Sequence, residues 1–149
     1  MSIKEELYNQ CVAFIENRFK TVQKTINEIQ ESLTSETKSS AGDKHETGRA
    51  MLQLEREKAG NQLAEIEKTK QLLSKVKTDT TSSNIGLGSV VYTTKANYFI
   101  AISAGEIKVD NETFFAISAN TPIGQLLIGK VLKNEIVFRG QVSVITKVL

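Results

Sequence analysis

The sequence holds one cysteine (Cys11), one histidine (His45), one proline (Pro122) and no tryptophan. A single cysteine excludes an internal disulfide and any zinc site built on several cysteines. A single histidine excludes chemistry that needs a histidine cluster. No apolar run approaches the roughly 20 residues of a membrane-spanning helix, so no membrane partner is expected. An excess of one charge is missing too: 19 Lys and Arg stand against 17 Asp and Glu, a formal net charge of +2. That balance lacks the concentrated basic excess with which a protein grips nucleic acid unaided. Met1-Ser2-Ile3-Lys4-Glu5-Glu6 places acids where a secretory signal is basic and then apolar, which predicts a cytoplasmic protein.

What is present divides at a composition shift. The chain has 149 residues, of which 40% are hydrophobic and 24% charged, enough for one ordinary domain or two small ones. Residues 1–80 contain no proline, three glycines, and 13 basic and 13 acidic side chains, a helix-permissive and neutral stretch. Residues 81–149 hold six glycines, the proline and most of the Val, Ile and aromatic clusters. The polar run Lys77-Thr78-Asp79-Thr80-Thr81-Ser82-Ser83-Asn84 reads as the connection. The expected domains are therefore 1–78, a linker over 79–84, and 85–149.

In the first half, apolar side chains recur at Tyr8, Val12, Ile15, Phe19, Val22, Ile26, Ile29 and Leu33, in alternating steps of four and three. This is a heptad seam and predicts a coiled-coil helix. A second series follows in Leu52, Ala59, Leu63, Ile66, Leu73 and Val76. Residues that face each other in an antiparallel hairpin share a constant index sum. Leu33 with Leu52, Ile26 with Ala59, Val22 with Leu63, Phe19 with Ile66 and Val12 with Leu73 all give 85. The series predicts an antiparallel coiled-coil hairpin that folds back between Gly42 and Asp43, with its tip near 40–47. Arms of about 35 residues make it about 50 Å long. In this register Ile29 faces Arg56 and Ile15 faces Lys70, so the basic stems lie along the seam or the helices shift phase locally.

The second half turns to period two. Strands are expected at 89–93, 98–102, 113–118, 135–138 and 141–145, with a short helix over 121–129. Thr121 is placed to cap that helix, Pro122 to open it and Gly129 to follow its end. The fold class is thus α+β: a helical hairpin followed by a small antiparallel β domain carrying one helix.

The hairpin turn carries Gly42-Asp43-Lys44-His45-Glu46. Asp43 and Glu46, at i and i+3, can aim two carboxylates at one point and share a hard cation such as Mg²⁺. The same two acids also suit a helix N-terminus as capping and dipole-favouring groups, and both readings stand at this stage. His45 between them is either a supplementary ligand or an exposed tip residue. Lys44 and Arg49 either contact a partner or offset the tip's charge. Cys11 does not form a thiol nucleophile with His45, since about 50 Å of helical arm separates them.

These residues resemble those of the Gre-type transcript cleavage factors of bacterial RNA polymerase. Gly42-Asp43-x-x-Glu46 is similar to that family's tip pattern, Gly-Asp-x-x-Glu-Asn. Gly88-Ser89-Val90-Val91 resembles its first C-terminal strand. Ile117-Ser118-x-x-Thr121-Pro122-Ile123-x-x-x-Leu127-Ile128-Gly129-Lys130 resembles its Ser-Pro-Ile-x-x-x-Leu-Ile-Gly-Lys helix. The resemblance implies an FKBP-like C-terminal domain and RNA polymerase as partner, with nascent RNA within reach of the complex. It implies that the tip enters the secondary channel, where Asp43 and Glu46 help hold a catalytic Mg²⁺ shared with the polymerase. The chain would then stimulate the polymerase's own cleavage of backtracked RNA without being an enzyme itself. Two departures mark the tip: Thr47 replaces the family's Asn, and no aromatic follows in Gly48-Arg49-Ala50-Met51. After Gly129-Lys130, Lys133-Asn134 replaces a Gly-Asp turn. The alternatives are a non-catalytic occupant of the same channel and a self-associating coiled-coil scaffold. An intramolecular hairpin predicts a monomer.

Overall fold

The computed structural model describes residues 2–38 and 42–149, with the side chains of 36–38 and 42–45 outside the described set. Two long helices, α1 (Ile3–Lys38) and α2 (Gly42–Ser74), form a hairpin and are followed by a six-stranded sheet with one short helix. The chain divides into two compact units. One is Ile15–Thr69; the other joins Met1–Phe14 to Lys70–Leu149.

The Ile15–Thr69 unit is the outer part of the hairpin. Ile26, Ile29 and Ala59 are buried together, with Val22, Leu33, Leu52 and Leu63 packed against them. Three of the pairs with index sum 85 therefore lie in one apolar cluster, as the heptad spacing requires. Arg56 lies half-buried, and its Nη1 comes within 3.1 Å of where a Cβ on Gly60 would stand. The side chain thus runs along its own helix and leaves Ile29 buried opposite. The expected fold-back, with its tip near 40–47, lies partly outside the described residues; α1 ends at Lys38 and α2 begins at Gly42. An index sum locates a turn only to within one seam layer, which spans three or four residues.

The second unit combines the base of the hairpin with the sheet. Here the buried line of α1 is Leu7 and Cys11, while the expected seam residues Tyr8 and Val12 are half-buried. The shift has a physical cause. This end of α1 serves the sheet unit, so its apolar stripe is broader than a two-helix seam. Gln10 Nε2 donates to Lys108 O at 3.1 Å, and Lys4 Nζ donates to Thr80 O at 2.6 Å. Lys4 is only 8% exposed; burial lowers its pKa, and the nearby Asp79 carboxylate acts in the opposite sense. Just beyond the end of α2, Val76 packs against the backbone at Gly88.

The sheet contains β1 (Val90–Thr93), β2 (Asn97–Ile100), β3 (Gly105–Val109), β4 (Glu112–Ile117), β5 (Glu135–Phe138) and β6 (Gln141–Val148). Their spatial order is β3-β4-β2-β1-β6-β5. Two expectations are corrected. There are six strands rather than five, and the sheet is mixed rather than antiparallel, because β2 and β4 pair in parallel through Phe99↔Ala116 and Ile100↔Ile117. Both follow from β3. It forms a hairpin with β4 across Asp110-Asn111, both at positive φ, and this turns β4 back alongside β2. Helix α3 (Pro122–Leu127) covers one face, where Ile85, Val91, Ile100, Ile123, Leu127, Ile136 and Ile145 form a core. Val90, Phe99 and Phe114 are fully buried on the opposite face.

Candidate functional site at the hairpin turn

Helix α1 ends at Lys38 and α2 begins at Gly42, and residues 39–41 between them lie outside the described residues. The backbone sets Asp43 and Glu46 three positions apart in the first turn of α2, on neighbouring positions of the helix surface. Carboxylates there are favoured by the partial positive charge of the helix start. Glu46 is exposed to solvent. The side chains of Asp43, Lys44 and His45 lie outside the described residues, so their placement toward Glu46 is not part of the geometry. Thr47 is exposed and Arg49 is half-buried. Behind them, Met51 and Leu54 are 60% and 66% exposed, two apolar side chains that the sequence reading did not single out. The signal was available: both fall off the seam that Leu52 occupies.

The donor chemistry of Asp43 and Glu46 suits a hard cation, since both offer oxygen. Two carboxylates leave most of an octahedral Mg²⁺ shell to other ligands. Among the described residues, no group of three or more His, Cys, Asp or Glu could hold a metal ion. A shallow groove on α1 is lined by the polar residues Asn27, Gln30, Glu31, Thr34 and Ser35.

The residues that carry the C-terminal resemblance have structural work. Thr121 is the N-cap of α3: its Oγ1 accepts from Gly124 N at 3.1 Å and donates to Ser118 O at 2.8 Å. Pro122 occupies the first helical position, and Gly129, at φ +80°, follows the helix and donates its N–H to Ile85 O. Gly124 is needed for close approach, because a Cβ there would overlap Ser118 O and stand 2.9 Å from Ala119 O. In the 88–91 stretch, Ser89 Oγ accepts from Gly86 N at 3.0 Å. Lys133 takes the left-handed conformation at φ +74°. Cys11 is buried, and that burial pushes its thiol up to about 12, the opposite of an activated nucleophile.

No protein-family model matches the chain, and no curated protein matches it. Among solved structures it is similar to that of the transcription factor Gfh1, at 17% sequence identity and a TM-score of 0.36, over 95% of this chain and 92% of that one. No helix among the described residues is long and apolar enough to cross a membrane.

Proposed function

We propose that this chain is a Gre-like factor of bacterial RNA polymerase, not an enzyme in its own right, whose hairpin tip enters the secondary channel and stimulates cleavage of backtracked RNA. The observation that carries this reading is the position of Gly42-Asp43-x-x-Glu46 at the very start of α2, at the turn of a long helical hairpin. The capped α3 helix, built from the second signature of the same family, supports it independently. Asp43 and Glu46 supply two oxygen ligands, and the polymerase supplies the rest. Mg²⁺ bound between them would contribute Lewis acidity and an activated water. The helix start favours the two negative charges while they await that cation.

A second reading is favoured by Thr47 and by the missing aromatic over 48–51: the rod occupies the channel and modulates the polymerase without promoting cleavage. Stalled complexes carrying labelled, backtracked RNA separate the two. Shortened RNA on adding the protein, abolished in Asp43→Asn or Glu46→Gln with polymerase binding retained, supports the first. Binding without shortening supports the second. Failure to co-purify with polymerase overturns both.

A further inference from the structure

Helix α2 has a packed side and an open side near its start. Leu52 and Arg56 are half-buried and Ala59 is buried, whereas Thr47, Ala50, Met51 and Leu54 are all exposed. Successive residues of a helix turn by about 100°, so those four fall within a sector of about 100°, centred opposite Leu52 and Arg56. The stripe they form begins one residue after Glu46 and carries no charge. One turn farther along the same face, Glu57 and Lys58 restore the charged surface typical of a solvated helix. Met51 and Leu54 touch each other's turn at i and i+3, and 60% and 66% of their surfaces lie open. The apolar cluster of Ile26, Ile29 and Ala59 is complete without them. A single exposed apolar side chain needs no explanation. Two neighbours beside an alanine, with no charge among them on an otherwise charged rod, form a contact surface.

We propose that this stripe, anchored by Met51 and Leu54, docks on an apolar patch of the polymerase channel wall when the hairpin turn is inserted. The inference rests on the channel-entry reading given above and adds a grip that is separate from the two acids. Three observations choose this occupant. The stripe is continuous with the turn: Leu54 stands about 12 Å behind Glu46 along α2, so a wall that surrounds the inserted turn also reaches the stripe. It lacks the Lys and Arg that an RNA backbone requires, which selects an apolar protein surface over nucleic acid. It is only two large side chains wide, far below what a stable dimer of this chain would need, yet enough for an anchor within a larger contact. The unbranched thioether of Met51 adapts to an irregular wall. Binding and cleavage then rest on different residues of one helix, Met51 and Leu54 for the first and the acids for the second.

Equilibrium binding of the full chain to purified bacterial RNA polymerase, with and without backtracked RNA, is the test. The double variant M51Q/L54Q keeps good helix formers at both positions and should retain the circular dichroism spectrum and melting temperature. It should bind polymerase about tenfold or more weakly, to the same extent with and without RNA. The swap M51L/L54M preserves the apolar surface and should bind as the wild type does. Glu46→Gln, which leaves the stripe intact, should bind normally. Wild-type affinity in M51Q/L54Q overturns this inference alone and leaves the channel reading standing. A loss confined to complexes that contain RNA makes RNA the occupant and overturns it too. So does a concentration-dependent dimer in sedimentation equilibrium that M51Q/L54Q abolishes, since a second copy would then cover the stripe. A wild-type chain that does not bind polymerase overturns the channel reading and this inference together.

Discussion

The sheet unit and the outer hairpin specify themselves in different ways. In the sheet unit individual residues meet individual demands: Thr121 closes two hydrogen bonds, Gly124 admits a passing backbone, and Asp110-Asn111 makes a tight reversal. In the outer hairpin what matters is spacing, since Ile26, Ile29 and Ala59 need only be apolar and correctly phased. The difference teaches where sequence signatures should be trusted as functional. Those of the sheet unit are accounted for by the fold. The acidic pair at the turn is not required by the apolar seam, so its presence is the more informative about activity.

The same substitution tests this contrast with opposite signs. Gly124→Ala should be the most damaging, costing about 3 kcal/mol, because the new methyl meets backbone carbonyls that cannot move aside. A fall in the urea midpoint, or failure to accumulate folded protein, is the expected result. A near-neutral effect would mean that α3 is not seated as described.

Next in size, when read at about pH 10 to 11, is a pH effect at the hairpin base. The Cys11 thiol is raised in the folded state from 9.0 to about 12, so the unfolded chain loses its proton first as pH rises. Stability present below pH 9 should therefore decline between 9 and about 12, with a slope approaching about 1.4 kcal/mol per pH unit from this group alone. Urea titrations of the wild type and Cys11→Ala should diverge in that window. Parallel curves would place the thiol in contact with water.

Smallest is Gly60→Ala in α2, where the only close neighbour is the mobile end of Arg56. Removing a helix-interior glycine should stabilise the protein by about 0.5–1 kcal/mol, seen as a higher melting temperature. Loss of stability there would show that Arg56 is held as tightly as the sheet unit's residues, and the contrast between the regions would fade.

The sequence exposed these two regions unequally. The seam from Val22 to Leu33 and its partners Leu52, Ala59 and Leu63 were legible because heptad spacing is a one-dimensional signal. Helix α3 was legible because Thr121, Pro122 and Gly129 each have a positional meaning. Cys11 was legible as a packing residue near the hairpin base, whereas Leu7 was missed in favour of Tyr8 and Val12, since which neighbour a helix base serves is a tertiary fact. Strand β3 was missed although Ile107 and Val109 alternate with Glu106 and Lys108. Two apolar residues between a glycine and a turn make a weak pattern, and with β3 went the parallel β2–β4 pair. At the candidate site, the spacing of Asp43 and Glu46 was legible, and both positions fall in the first turn of α2. The exposed Met51 and Leu54 were readable as off-seam residues but lay outside the chemistry being sought.

Because one compact unit draws on both Met1–Phe14 and Lys70–Leu149, synthesis on the ribosome runs ahead of assembly. Leu7 and Cys11 emerge early, yet β6, which joins β1 to β5, is made last. At about 5–20 residues per second, several seconds separate those events. During that interval the nascent chain carries uncovered apolar side chains on α1, and that is when chaperones or proteases would find it.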